Sequence, residues 1–153
     1  MTTYEEQVKQ RERELDLAIY FAEAFIEEVG KEKALEIMKK GWSESWLSGL
    51  NKALGGVTPE ERFTAFGKWM TDRLASSPWM EVLEAGPKRV AIKIKRCATY
   101  DACKNRGVPE ICQAYCDSDY LSAPMIHPKA RLMRDKEIAN GADYCNHIWI
   151  LEE

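Results

Sequence analysis

Apolar residues recur at helical spacing through the first half of the chain and at alternating spacing through much of the second. Thr3 and Glu6 form a capping-box pattern, in which hydroxyl and carboxylate satisfy amide donors at a helix start. The helix that follows carries Leu15, Ala18, Ile19, Ala22, Phe25, Ile26 and Val29 on one stripe, with Glu12, Arg13, Asp16, Glu23 and Glu27 opposite, and Gly30 is suited to end it. A second helix starts near Lys31 on Ala34, Leu35, Ile37 and Met38. Gly41 is expected to interrupt it before Trp42, Trp46, Leu47, Leu50 and Leu54 carry the pattern on to Gly55-Gly56. Thr58-Pro59-Glu60-Glu61 is a third helix start, with Phe63, Phe66, Trp69, Met70 and Leu74 as its core face and Ser76-Ser77-Pro78 as its stop.

After Pro78 the period shortens to two. Met80 and Val82 belong to one strand, Gly86-Pro87 to a turn, and Arg89 to Arg96 to a second strand with Val90, Ile92 and Ile94 on one face. Helices are expected at about Thr99 to Asn105 and Pro109 to Leu121, a weaker strand over 129–138, and a last strand from Tyr144 to Leu151 after the Asn140-Gly141 turn. The order is helices, hairpin, helices, hairpin. It predicts an α+β fold, an antiparallel sheet of two hairpins (about four strands) packed against several helices. A single domain is expected over residues 1–153, helical over residues 1–77 and containing the sheet and the cysteine-bearing helices over residues 78–153.

Composition narrows the function classes. The chain has 153 residues, enough for a substantial core. A net charge of −3 argues against nucleic acid as a partner, and the basic residues Arg131, Arg134 and Lys136 fit the solvated side of a strand. No apolar run approaches the about 20 residues that span a bilayer, and the polar N-terminus has no signal-like apolar stretch, so the expected location is cytoplasmic with no membrane partner. In a reducing compartment the 5 cysteines are thiols to be buried, reactive or metal-bound, rather than a disulfide framework.

Four of those 5 cysteines, Cys97, Cys103, Cys112 and Cys116, lie between positions 97 and 119, and Cys145 lies in the last strand. A helix opened by Pro109 places Cys112 and Cys116 on one face a turn apart, with Asp119 on or near that face. Cys145, His147 and Trp149 alternate along the last strand and so share a face, a small pocket of thiol, imidazole and aromatic ring.

Three segments give the C-terminal half its resemblance. Cys97 follows the strand Val90-Ala91-Ile92-Lys93-Ile94-Lys95-Arg96. Cys112-Gln113-Ala114-Tyr115-Cys116-Asp117-Ser118-Asp119 forms the second, and Gly141-Ala142-Asp143-Tyr144-Cys145 followed by Trp149 the third. Over roughly residues 88–151 the chain resembles the L-2-amino-thiazoline-4-carboxylic acid hydrolase family. The departures are Ala98 and Gln113, where relatives favour proline, His147 at a usually apolar or basic position, and Cys103 as an extra cysteine. The resemblance implies hydrolytic opening of a small heterocycle of the cyclic isothiourea or amidine type, or cleavage of a related C–N or C–S bond; no cofactor is expected.

For that chemistry Cys116 is the expected nucleophile, Asp119 the group that orients a water or shuttles a proton, and His147 the proton carrier. Cys112, Cys145, Trp149 and Arg134 are the expected substrate-binding residues, with Arg131 or Arg134 facing the substrate carboxylate. Two other classes stay open. Cys97, Cys112, Cys116 and Cys145 are a candidate four-sulfur set for zinc or an iron–sulfur cluster, although their spacing lacks the paired knuckles of strong zinc motifs. A non-catalytic small-molecule-binding accessory protein, self-associating as a homo-oligomer through aromatic residues and a hairpin edge, is the other. Cys97 and Cys103 are expected to be core, and His127 a loop residue.

Overall fold

In a computed structural model that describes residues 3–152, the first helix, α1 (Tyr4–Val29), begins on the expected capping box. The Glu6 amide donates to Thr3 Oγ1 at 3.2 Å, and the Thr3 amide donates to Glu6 Oε2 at 2.7 Å. Gly30 ends α1 at φ 81°, a left-handed value that a side chain would resist. The remaining elements among the described residues are α2 (Lys31–Ala53), α3 (Pro59–Leu74), β1 (Met80–Ala85), β2 (Arg89–Ile94), α4 (Ala98–Asn105), α5 (Pro109–Ile126), β3 (Ala130–Met133), a 3-10 turn at Ile138–Asn140, and β4 (Cys145–Leu151). Five helices and a four-stranded antiparallel sheet make this an α+β fold. No helix among the described residues is long and apolar enough to cross a membrane.

The chain forms two compact units that interleave along the sequence. One comprises Met1–Trp42 with Cys97–Ser118, the other Ser43–Arg96 with Asp119–Glu153. In the first, α1 packs against α4. Tyr4 donates its hydroxyl to Asp101 Oδ2 at 2.7 Å, Asn105 donates to Glu12 at 2.8 Å, and Arg106 pairs with Asp16. Tyr4, Val8, Leu15, Ile19 and Ala22 of α1 are buried, but Phe25 and Val29, expected in the same core stripe, are 39% and 45% exposed. The physical reason is length: α4 has 8 residues against the 26 of α1, so this contact cannot follow the stripe to its end.

In the second unit the strand order is β1-β2-β4-β3, with every neighbouring pair antiparallel. Trp149 at the centre of β4 faces Val90 of β2 on one side and Leu132 of β3 on the other. Helix α3 covers this row. Phe66 meets Trp149 edge-on at 5.1 Å between ring centroids, and Gly67 comes so near the sheet that a Cβ there would lie 3.0 Å from Val90 Cγ2.

Three local expectations change. Gly41 does not interrupt α2; a glycine costs about 1 kcal/mol in a helix, which the flanking turns outweigh. Helix α5 runs to Ile126 rather than Leu121, through Pro124 in its last turn, because Ser122, Ala123 and Ile126 are buried there. The strand expected over 129–138 is confined to Ala130–Met133, since from Arg134 onward the chain turns away into the 3-10 segment.

Candidate functional site

The thiols of the first unit gather at the start of α4 and on the first turns of α5. Cys97 is the N-cap of α4, and its Sγ accepts the Tyr100 amide at 3.4 Å. Cys112 and Cys116, four residues apart on α5, bring their sulfurs to 3.9 Å. Cys112 is the common neighbour of the group: Cys103, Cys116 and Cys97 all act to keep its proton on. The Cys112 S–H, helped by the amides of Tyr100 and Thr99 against the cost of burial, lowers Cys97 to about 7. Cys112 correspondingly holds its proton. Cys103 and Cys112 are each 1% exposed, whereas Cys97 and Cys116 are half-buried. Cys97 is therefore not simply core, as its place at a strand end suggested; a helix start adjacent to that strand gives its sulfur amide donors.

One expected outcome concerns Cys97 directly. Its alkylation by iodoacetamide, followed by peptide mass mapping at short times, rises to half its plateau near pH 7, against 9.0 for an ordinary thiol. A midpoint above pH 8.5 contradicts the capped-thiolate description.

The second unit holds an imidazole–carboxylate pair. β4 aims Cys145, His147 and Trp149 to one face, and Asp119 comes from the portion of α5 that belongs to the same unit. His147 Nδ1 lies 3.4 Å from Asp119 Oδ2, longer than an ordinary hydrogen bond but near enough for the carboxylate to favour a proton on Nδ1, the tautomer that leaves Nε2 as the base. The His147 and Trp149 rings meet edge-on at 5.7 Å. Trp149 is 3% exposed and its indole Nε1 has no acceptor among the described residues. Burial first, and the positive charge of Arg134 second, push His147 down to about 3 despite the nearby carboxylate, so the imidazole is neutral at pH 7.

Arg134 is not on the solvated side of a strand. Its side chain is 1% exposed, its Nε donates to Glu137 Oε1 at 2.9 Å, and its guanidinium stacks 4.9 Å from the Tyr120 ring centroid. The loop that carries it is strapped to the start of β4. Asn146 Oδ1 accepts the Asp135 and Lys136 amides at 3.1 and 2.9 Å, and Cys145 Sγ accepts the Ile138 amide at 3.1 Å. With Arg134, Glu137 and Asn140, this loop lines an open groove of ≈ 390 Å³, within the size range of small-molecule sites.

The neutral state of His147 has a consequence for stability. The unfolded chain protonates this histidine near 6.5, while the folded one resists until about 3. Between those values the unfolded state binds more protons, so stability is full above pH 6.5 and falls with decreasing pH. The slope contributed is at most about 1.4 kcal/mol per pH unit. Urea unfolding from pH 7.5 to 5 therefore shows a shallower acid loss in His147→Gln than in the parent; equal slopes contradict the assignment.

Of the residues that the sequence singled out, the structure brings Asp119, His147, Trp149, Arg134 and Cys145 into the second unit, and Cys97, Cys112 and Cys116 into the first. Among the described residues no group of three or more His, Cys, Asp or Glu side chains is arranged to hold a metal ion. His127 lies in the loop after α5, its Nδ1 accepting the Lys129 amide at 3.1 Å. Sequence reasoning missed Tyr120, Glu137 and Asn146. Only Glu137 had a local signal, its charge three positions from Arg134.

No curated protein matches the chain. A family model does: that of L-2-amino-thiazoline-4-carboxylic acid hydrolase matches residues 10–149, extending the resemblance seen in the C-terminal half through the helices of the N-terminal half. With nearly its whole length matched, and with the α+β fold that the order of its elements led one to expect, the chain belongs to the L-2-amino-thiazoline-4-carboxylic acid hydrolase family.

Proposed function

We propose that this protein adds water to a small cyclic isothiourea or amidine bearing a carboxylate and opens its ring at a C–N bond. The family is named for a hydrolase of this type. The observation that carries the reading is the contact of half-buried Asp119 with a buried, neutral His147. Asp119 holds the Nδ1–H, so that Nε2 presents its lone pair as a general base. A water gives a proton to Nε2 as its oxygen bonds to the amidine carbon. The ring nitrogen then leaves with the proton returned by the imidazolium, and the product is one water heavier than the substrate.

Arg134, whose loop lines the groove, is the expected partner for the substrate carboxylate, which reaches the buried guanidinium by displacing Glu137. Binding that anion would offset the positive charge that helps to depress His147, so the imidazole gains basicity when substrate is present. The Trp149 indole N–H is a donor for a substrate acceptor, and Cys145 serves indirectly by holding the Arg134 loop at Ile138. The test is incubation with L-2-amino-thiazoline-4-carboxylic acid and related cyclic amidines, with mass detection of a product heavier by one water. Turnover that His147→Gln leaves intact, in rate and pH profile, removes the reading.

A second reading has its own observation, the depressed thiol Cys97 beside Cys112 and Cys116. Here a cysteine attacks the amidine carbon and water releases the product, with Cys116 as the nucleophile expected from sequence. Cys116→Ala and Cys97→Ala separate the two. Turnover retained in both supports water activated by His147; turnover abolished in either supports the thiol.

A further inference from the structure

We propose that the outer face of α1 is a dimerisation surface, on which the α1 helices of two copies of this chain pack antiparallel. The inference is independent of the hydrolase reading. It rests on a helix that is apolar on two sides. Tyr4, Val8, Leu15, Ile19 and Ala22 form the buried side. Across the helix from them, Leu17, Tyr20 and Phe21 are 66%, 59% and 55% exposed. Phe25, one turn beyond Phe21, extends that exposed face, and Val29 adjoins it.

Single exposed apolar side chains are ordinary, but a continuous run of large ones marks an interaction site. The run is also partly pre-set. The Phe21 and Phe25 rings stack with centroids 6.3 Å apart and planes 20° from parallel, so less side-chain freedom is lost on docking. Their aromatic character suits the centre of an interface, where Phe and Tyr are enriched and charged residues are depleted.

Charge selects a second copy as the occupant. The C-terminal half of α1 exposes Glu23, Glu27 and Glu28, and its last turn has no basic residue. The free carbonyls at that end already gather negative charge, which no cation of α1 offsets there. Toward the N-terminus, Lys9 and Arg13 are exposed cations. A two-fold axis at Phe21 turns one helix end over end against the other. Phe21 then meets its own copy, Leu17 meets Phe25 of the second copy, and Arg13 comes beside Glu28 of the second copy, once at each end. Glu14, near the same face, is already engaged by Arg11 at 2.6 Å and Gln10 at 2.7 Å. A parallel pairing would instead set the three glutamates of one helix against those of the other. The same glutamates repel an anionic lipid surface, which makes a bilayer the poorer occupant.

The experiment is sedimentation equilibrium on the full chain, kept reduced. The concentration range is about 1–200 μM, suited to one helix pair at the small end of specific interfaces. A reversible monomer–dimer equilibrium is the expected result. Phe21→Glu sets two carboxylates at the axis and raises the dissociation constant by about 100-fold or more, with far-UV circular dichroism unchanged because the side chain is exposed. Leu17→Glu, one turn away, is the second variant with the same expectation, should Phe21→Glu disturb folding. Arg13→Glu raises the dissociation constant about 10-fold, and adding Glu28→Arg restores it, since the swap remakes the pair at both ends. A chain that stays monomeric throughout the range overturns the proposal, as does a dimer that both Phe21→Glu and Leu17→Glu leave intact. So does a monomer that floats with phosphatidylcholine–phosphatidylglycerol vesicles unless Phe21 is changed, which would assign the face to a bilayer. None of these readouts requires hydrolase turnover, so failure of the proposed activity and failure of this inference are distinguishable.

Discussion

Asp119→Asn lowers kcat/KM for ring opening by about 10²–10⁴-fold, the usual worth of a positioned general base, with the fall mainly in kcat. The substitution keeps the size of the side chain and removes the charge that holds the His147 N–H at Nδ1. An amide can offer its own N–H₂ to Nδ1, which moves the imidazole proton to Nε2 and leaves no base facing the water. The double variant with His147→Gln should be no slower than His147→Gln alone, because the proposed catalytic part of the carboxylate is played through the imidazole. Additive losses, or a variant as active as the parent, would show that Asp119 does something else. A thermal melt belongs with the assay, since the contact also helps to pack α5 on β4 within this unit.

The largest expected effect on stability is at Glu137. Glu137→Ala removes from the Arg134 guanidinium, whose side chain is 1% exposed, the carboxylate 2.9 Å from its Nε. Removing one partner of a buried pair costs about 3–5 kcal/mol, and we expect about 3 because the Tyr120 ring keeps its contact with the cation. Replacing both partners, as in Arg134→Met with Glu137→Leu, should cost less than Glu137→Ala alone, since no charge is then left buried. Urea denaturation of the three proteins measures this. A Glu137→Ala variant within about 0.5 kcal/mol of the parent, the range of ordinary surface substitutions, would mean that Arg134 is solvated in the folded protein.

The opposite expectations for Arg134, solvated from sequence and buried in the structure, show where local reading stops. Arg131 lies in β3 and Arg134 directly follows it, and the two look alike in the chain. Arg131 remains exposed, while Arg134 follows the turn that Asn146 and Cys145 hold against β4. Those anchors are about ten positions away in sequence, and no spacing rule connects an asparagine there to an arginine here. Cys97 is a related case. Its position before a helix was legible, yet its sulfur is perturbed chiefly by Cys112 from another helix.

What the sequence determined by itself is what depends on neighbours a few residues away. The Thr3–Glu6 box, the stop at Gly30, the start of α5 at Pro109, the β1–β2 hairpin and the shared face of Cys145, His147 and Trp149 are all properties of local hydrogen bonding and period. The α+β class followed from their order, and family membership from three cysteine-bearing segments. Only the tertiary structure decided which candidates meet: Asp119 with His147, Arg134 with Glu137 and Tyr120, Cys97 with Cys112. It also decided their protonation, because the charge of a histidine or a thiol depends on burial and on partners brought from distant stretches of the chain.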